Sequence, residues 1–480
     1  MKAPRAESLP NIIERKERIM KTRKIAAVVF AALFVIFSAC TPGGTQNAAA
    51  PDSSDSPEAS AIPVDSASPS DTAAPENTEA PGSTFVPYVF NPDTDVDNRF
   101  ANAYCSIVER ENMFVWAAYG DSAICFFDKE ADYGGVLCSK PECDHSPDTA
   151  GCNGGIPVKS ICCCEDKLYL LPSWSTKEDK SWHIFKMNLD STGREVFMTI
   201  PDAEDGSVTL MNMYIHRGRM YFVNHYSFVE DGVPMEKYAL LSCDLASHNA
   251  AELKPVFEFE SKSWFVSRLF FAGDRIYLFA TPGIDGHYKL MVWCYDTVTG
   301  ETSTAADVIL DDDYFTASDF WVTQEGEILV CQSAVIASQN VKIYKIVDNE
   351  LEVYMEFEET DGPWHGTAVF DDAVAALRLT GEKSPRQYEV WIRDHEGNTI
   401  YKGPLCAHDR DGNIVPSFDN INWQYYSHDR IMMCVSVYTT AGETEVADEV
   451  YYFVEYEITD SGLEEKTLVA YDMKTGFIEP

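Results

Sequence analysis

Beyond residue 84 the apolar positions of this chain fall into short runs rich in aromatic and β-branched side chains, punctuated by Gly, Asp and Asn. That patterning belongs to β-strands joined by tight turns, and almost no stretch repeats with the period of a helix. Within it one signature recurs seven times: an acidic residue or Gly, a polar residue, then two apolar residues that open a strand. The copies are Glu111-Asn112-Met113-Phe114, Asp166-Lys167-Leu168-Tyr169, Gly218-Arg219-Met220-Tyr221, Asp274-Arg275-Ile276-Tyr277, Gly326-Glu327-Ile328-Leu329, Asp371-Asp372-Ala373-Val374 and Asp429-Arg430-Ile431-Met432. A second signature, Asp followed closely by Gly, comes after several copies, at Asp190/Gly193, Asp296/Gly300, Asp394/Gly397 and Asp472/Gly476. Asp accepts hydrogen bonds from turn amides, and Gly supplies the positive φ such a turn needs.

Copies of the first signature lie 45–58 residues apart. Units of about 40–50 residues with four strands are the blades of a β-propeller, which bury their faces only by packing around a ring. The expectation is therefore an all-β, seven-bladed β-propeller over 85–480, with six or eight blades as the alternatives. A row of β-sandwich modules fits less well, because the repeat is too short. The C-terminal unit is irregular, with strand-like segments at 450–458 and 467–472. The strand-like segment 85–90 is expected to complete it and clasp the ring.

The N-terminal region reads differently. Lys21, Arg23 and Lys24 precede an unbroken apolar run over 25–37. At 13 residues it is shorter than the ~20 needed to span a bilayer and has the length of a secretory signal core. The next residues, Phe37-Ser38-Ala39-Cys40, are similar to a bacterial lipobox, with Phe37 where Leu is usual. That reading makes 1–39 the signal, with Met20 an alternative start, and Cys40 the lipidated first residue. An ordinary cleaved signal is the plainer alternative. Residues 41–84 contain no Lys, Arg or aromatic side chain and are rich in Ser, Thr, Ala, Pro and acids. Such a segment cannot bury enough apolar surface to offset its ordering entropy, so 40–84 reads as a disordered tether.

Charge narrows the partners. The chain has 37 Lys+Arg against 77 Asp+Glu, a net charge of −40. The first 84 residues contribute only −2 of it. Such a field repels nucleic acid and anionic polymers and leaves cations, basic peptides and neutral sugars as compatible partners.

Catalytic signatures are sparse. There is no G-x-S-x-G elbow, H-E-x-x-H, G-x-G-x-x-G or P-loop. Asp93-x-Asp95-x-Asp97-Asn98 opens like an EF-hand loop, but its twelfth position is Tyr104 rather than Glu. Asp409-x-Asp411-Gly412-Asn413 reads as a polar turn, Asp311-Asp312-Asp313 as a solvated loop, and His365 as structural.

The chain has 14 cysteines, so lipidation of Cys40 leaves an odd number. Cys125, Cys243, Cys294, Cys331 and Cys434 stand singly in strands and read as small buried hydrophobes. Cys162, Cys163 and Cys164 are consecutive; on a strand the outer two would share a face and Cys163 would oppose them. The densest group is Cys138, Cys143, His145 and Cys152, in a loop rich in Pro and Gly. Three thiolates and an imidazole suit tetrahedral zinc, but the spacing has no short C-x2–4-C knuckle. It also lacks the C-x-x-C of a redox pair. A disulfide staple needs only two thiols within reach, so the spacing ranks staple first, metal second and free thiols third.

The lipobox, the acidic tether, the repeats and the segment LCSKPECDH at 137–145 together resemble β-propeller surface lipoproteins of unknown function from Gram-positive anaerobes. The resemblance covers most of the chain. It implies a propeller and a location on the outer face of the cell membrane, and no activity. So many thiols in an exported protein agree with a reducing, anoxic habitat. The expected function is a membrane-anchored, monomeric module that binds a sugar, peptide or protein, with no cofactor and no nucleic acid. The alternative is a polysaccharide hydrolase or lyase using acids in the propeller channel, which would require carboxylates or His from different blades to converge there.

Overall fold

The computed structural model describes residues 87–478 apart from 102–106, 118–122, 144, 146–151, 174, 176–179, 202–207, 231, 263–266, 285–286, 311–316, 333–339, 359–363, 381–385, 410, 428, 441–445 and 473–475. The signal segment, Cys40, the tether and Asp311–Asp313 lie outside the described residues, as does the His365 side chain. Seven antiparallel sheets of four or five strands follow one another along the chain, at 107–136, 158–201, 210–261, 267–310, 317–357, 364–404 and 420–478, with a two-stranded sheet of Ala407–His408 and Ile414–Val415 between the last two. Each of the seven is a meander whose strands pair in sequence order, except that in the fourth Arg275–Ala280 pairs with His287–Asp296 and the short strand Gly283–Ile284 pairs with the start of the latter; together they are the blades of a seven-bladed propeller. The first strands of neighbouring blades touch one another, as Ile107–Arg110 does Val158–Cys164 and the latter does Leu210–His216, and so they line the axis. Among the described residues, no helix is long and apolar enough to cross a membrane.

The repeated signature marks the turn between the first two strands of each blade. In blade 2 the turn is Glu165-Asp166, with φ of 49° and 59°; in blade 3 it is Arg217-Gly218, at 49° and 76°. Two consecutive left-handed residues are the type I′ geometry that matches the twist of a hairpin. Asp, Asn and Gly tolerate it best, hence the recurring composition. The Asp/Gly signature closes the hairpin of the outer strands. Asp296 Oδ1 accepts from the amides of Val298 and Thr299, both at 2.9 Å, while Gly300 takes φ 74°.

The core lies in the seams between blades. Phe279 of blade 4 stacks on Phe320 of blade 5 with ring centroids 5.0 Å apart. Cys162 and Cys164 pack into the seam between blades 2 and 3, while Cys163 packs into that between blades 1 and 2, as strand alternation requires. The last seam joins blade 7 to blade 1. Phe114, Trp116, Cys125 and Phe127 meet Met432, Cys434, Phe453 and Leu468 there. The expected clasp by 85–90 is not formed by its described part, and residues 85 and 86 lie outside the described residues. Residues 87–90 form no strand, and blade 7 is built of five C-terminal strands. With a full sheet on each side of the seam, packing of faces joins the two blades.

Candidate functional site

The segment 87–101 crosses the end of the ring that carries the first turns of the blades. Tyr88 packs edge-on against Phe270 of blade 4, with centroids 6.4 Å apart. Asp95 accepts Arg217 Nε at 2.8 Å, and the Val96 amide donates to His216 Nδ1 at 3.1 Å. His216 Nε2 in turn faces the Gly273 carbonyl at 2.7 Å, which fixes the ring as the neutral tautomer protonated on Nε2. Burial holds this imidazole below its ordinary pKa despite the Gly273 carbonyl and the charge of Asp95. A one-turn helix, Asn98–Ala101, then enters the axis. Asn98 exchanges hydrogen bonds with the Phe271 backbone at 2.6 and 2.8 Å, and Tyr214 Oη donates to the Ala101 carbonyl at 2.9 Å. The segment is a strap held by residues from blades 3 and 4.

Between this strap and blades 1 to 3 lies a cleft of about 810 Å³, within the usual range for ligand pockets. Phe90 and Phe100 line it from the strap, and Glu109, Arg110, Lys129 and Tyr214 from the blades. Phe90 is 39% exposed, so an aromatic ring is open to a ligand. Most of its charges are held in ion pairs. Glu109 receives Lys129 at 2.8 Å, Arg430 at 3.4 Å and Arg99 at 3.8 Å, tying together blade 1, blade 7 and the strap. Arg99 also pairs with Asp97, and Arg110 reaches Asp166 of blade 2 at 2.6 Å. Asp95 and Asp97 are thus engaged by Arg217 and Arg99, and among the described residues the acids of 93–98 do not gather as a metal-ligand cluster. Asp409 is a turn: its Oδ1 accepts from the amides of Asp411 and Asn413 at 3.0 and 2.8 Å.

Carboxylates for acid–base work are dispersed. Burial pushes Asp319, on the first strand of blade 5, up to about 6, against the pull of Arg268 on blade 4 and of the Phe320 amide. Asp371 is also raised to about 6, by burial and then by Asp97, but it sits in the first turn of blade 6. Asp319 lies toward the opposite end of its strand, so the two do not form a pair.

The second candidate is the loop from blade 1 to blade 2. Cys138, Cys143, His145 and Cys152 each present one ligand atom, and all four atoms lie within 4.8 Å of one another. Local structure brings them together. The Cys143 amide turns back to the Lys140 carbonyl at 3.1 Å, and His145 takes the left-handed φ of 54°. Cys152 is buried against Ala123 and Val136, with Cys138 and Cys143 packed over it. Gly154 is required by close approach: a Cβ there would lie 2.5 Å from the Leu137 carbonyl oxygen. Blade 2 holds the loop from outside. Ser191 Oγ accepts the Ser139 amide at 2.7 Å, and Arg194 donates to the carbonyls of Cys152 and Asn153 at 3.3 and 2.7 Å. Burial works to raise the Cys138 thiol, but the amides of Lys140 and Asn153 and the thiols of Cys152 and Cys143 outweigh it and hold it low. Cys152 is pushed up to about 12, by burial and then by Cys143 and Cys138. All twelve described cysteines are free thiols.

The sequence singled out this cluster but missed the strapped cleft. Within 87–101 the sequence offered only the EF-hand-like opening at Asp93, Asp95, Asp97 and Asn98, and of these Asp95 and Asp97 serve as partners of Arg217 and Arg99.

No family model matches this chain, and no curated protein matches it. Solved structures similar in fold include the β-propeller domain of the Trilobed protease from Pyrococcus furiosus, described as having an open velcro topology. It is 14% identical, with 77% of this chain and 96% of that one covered and a TM-score of 0.36. A polysaccharide lyase of family PL25, an ulvan lyase, is 9% identical over 78% of this chain and 97% of its own, with a TM-score of 0.46. An oligogalacturonate lyase in complex with manganese is 10% identical over 72% and 88%, with a TM-score of 0.39. The likeness is one of fold alone.

Proposed function

We propose that this chain is a lipid-anchored β-propeller of the outer membrane face that binds a neutral glycan in the strapped cleft and catalyses no reaction on it. The observation that carries the reading is the cleft of about 810 Å³ in which Asp97, Arg99, Glu109, Arg110 and Lys129 are all held in ion pairs. A charged ligand would have to displace these pairs, at a cost in desolvation and broken hydrogen bonds. A neutral polyhydroxylated ligand can instead use the fixed donors and acceptors as they stand, and Phe90 offers a flat apolar face for a sugar ring. The surplus of negative charge over the whole chain works in the same direction, against acidic polymers. Dispersal of Asp319 and Asp371 supports binding over acid–base chemistry. Cys40 and the tether supply the anchor.

The test is an array of neutral, acidic and basic glycans together with peptides, probed with the full chain and with Phe90→Ala. Binding to neutral glycans, weakened about 10-fold or more by Phe90→Ala, supports the proposal; a buried aromatic contact of about 1.4 kcal/mol corresponds to that factor. Binding confined to peptides or acidic glycans, or turnover of a bound glycan, contradicts it.

A further inference from the structure

We propose that Cys138, Cys143, His145 and Cys152 form a Cys3His site for a divalent, thiophilic metal ion of the zinc class, and that the ion fastens the loop between blades 1 and 2. A tetrahedral zinc ion has ligand bonds of about 2.3 Å to sulfur and about 2.0 Å to nitrogen, so its ligand atoms lie about 3.5–3.8 Å apart. Cys152 Sγ and His145 Nδ1 are 3.8 Å apart, and no two of the four ligand atoms are separated by more than 4.8 Å. Movements of an ångström or less complete the tetrahedron. A disulfide would use two of the thiols and leave the third and the imidazole gathered at the same point without a reason. A metal ion uses all four.

The surroundings fit a structural ion. Amide groups of Lys140 and Asn153 point at Cys138 Sγ, and that of Gly154 points at Cys152 Sγ, so charge on the sulfurs is met by fixed dipoles. Four protein ligands close the coordination sphere, leaving no position for water or substrate, which is the arrangement of structural rather than catalytic zinc. Soft thiolates exclude magnesium and calcium. Binding replaces the thiol protons, which pass to solvent, and leaves three thiolates and a neutral imidazole around a dication, with a net charge of −1. Because Ser191 and Arg194 of blade 2 grip the same loop, the ion would join two blades through one connection.

The full chain, purified under reducing conditions and stripped with a chelator, is titrated with Co²⁺ and then Zn²⁺. Expected results are one ion per chain, thiolate-to-cobalt charge-transfer and tetrahedral visible bands, and protection of Cys138, Cys143 and Cys152 from alkylation. His145→Ala should weaken zinc by more than the 10–100-fold that a change outside the ligand shell costs, whereas Cys243→Ser, in a separate seam, should bind as wild type. Absence of the cobalt bands in the folded wild type overturns the proposal, whatever the variants do. So does a disulfide within the cluster in a non-reducing peptide map of protein prepared anaerobically, or retention of full affinity by folded His145→Ala.

Discussion

Trp116 of blade 1 stacks on Phe453 of blade 7, with ring centroids 4.3 Å apart and planes 18° from parallel. This pair spans the seam between the beginning and the end of the ring. Among the described residues no strand is exchanged across that seam, where side-chain packing joins the two blades, with Glu109 and Arg430 adding an ion pair at its edge. Truncating either ring should cost about 3–5 kcal/mol. In a double-mutant cycle Trp116→Ala and Phe453→Ala should couple by about 0.5–1.5 kcal/mol. Urea denaturation of the four proteins measures this; independent effects would mean that the seam is not cooperative.

Glu109 serves three cations from two blades and the strap, with 17% of its side chain exposed. Glu109→Ala should cost more than a surface ion pair, about 2–3 kcal/mol, because it leaves three partly buried cations facing one another. Glu109→Gln keeps the acceptor oxygen and should recover part of that loss. Thermal melts at low and high salt separate the two, since screening eases repulsion among the cations.

Asp319 gives a pH dependence with a definite sign. Its folded pKa of about 6 lies above the ordinary 3.8, so the native state holds the proton more tightly than the unfolded chain. Its contribution is complete below about pH 4 and is lost as pH rises through 6, by about 3 kcal/mol. Asp319→Asn should therefore match wild type near pH 4 and exceed it near pH 8. Equal stabilities at both pH values would show that burial does not govern this carboxyl.

His216 acts in the opposite direction. Its depressed pKa favours the neutral ring, which accepts the Val96 amide. The contribution is complete above the unfolded value of about 6.5 and declines as pH falls below it. Protonation would place a donor against the Val96 amide, so the strap should loosen on acidification. Hydrogen exchange at Val96, corrected for its intrinsic rate, should show more frequent opening at pH 5 than at pH 7.5. His216→Phe should lose that pH dependence.

The blades were legible in the sequence because each turn must solve the same backbone problem, and Asp166 and Gly218 are residue types that tolerate the positive φ these turns require. The alternation of Cys162, Cys163 and Cys164 followed from strand geometry alone. The strap was not legible. Tyr88 and Phe90 look like strand residues, and their place depends on surfaces contributed by blades 3, 4 and 6, far away in sequence. The four ligands of the 137–157 loop were visible, but their convergence was not. Irregular gaps between ligands hid a geometry made by the turn at Lys140, the left-handed His145 and the close packing of Gly154.

Where the ligand binds is tested most directly by hydrogen–deuterium exchange of the full chain, with and without a saturating neutral glycan selected on the array. New protection is expected in 87–101 and in 107–113, the two walls of the cleft, with little change elsewhere. Protection that leaves 87–101 and 107–113 unchanged and falls elsewhere in the ring would contradict binding in the cleft.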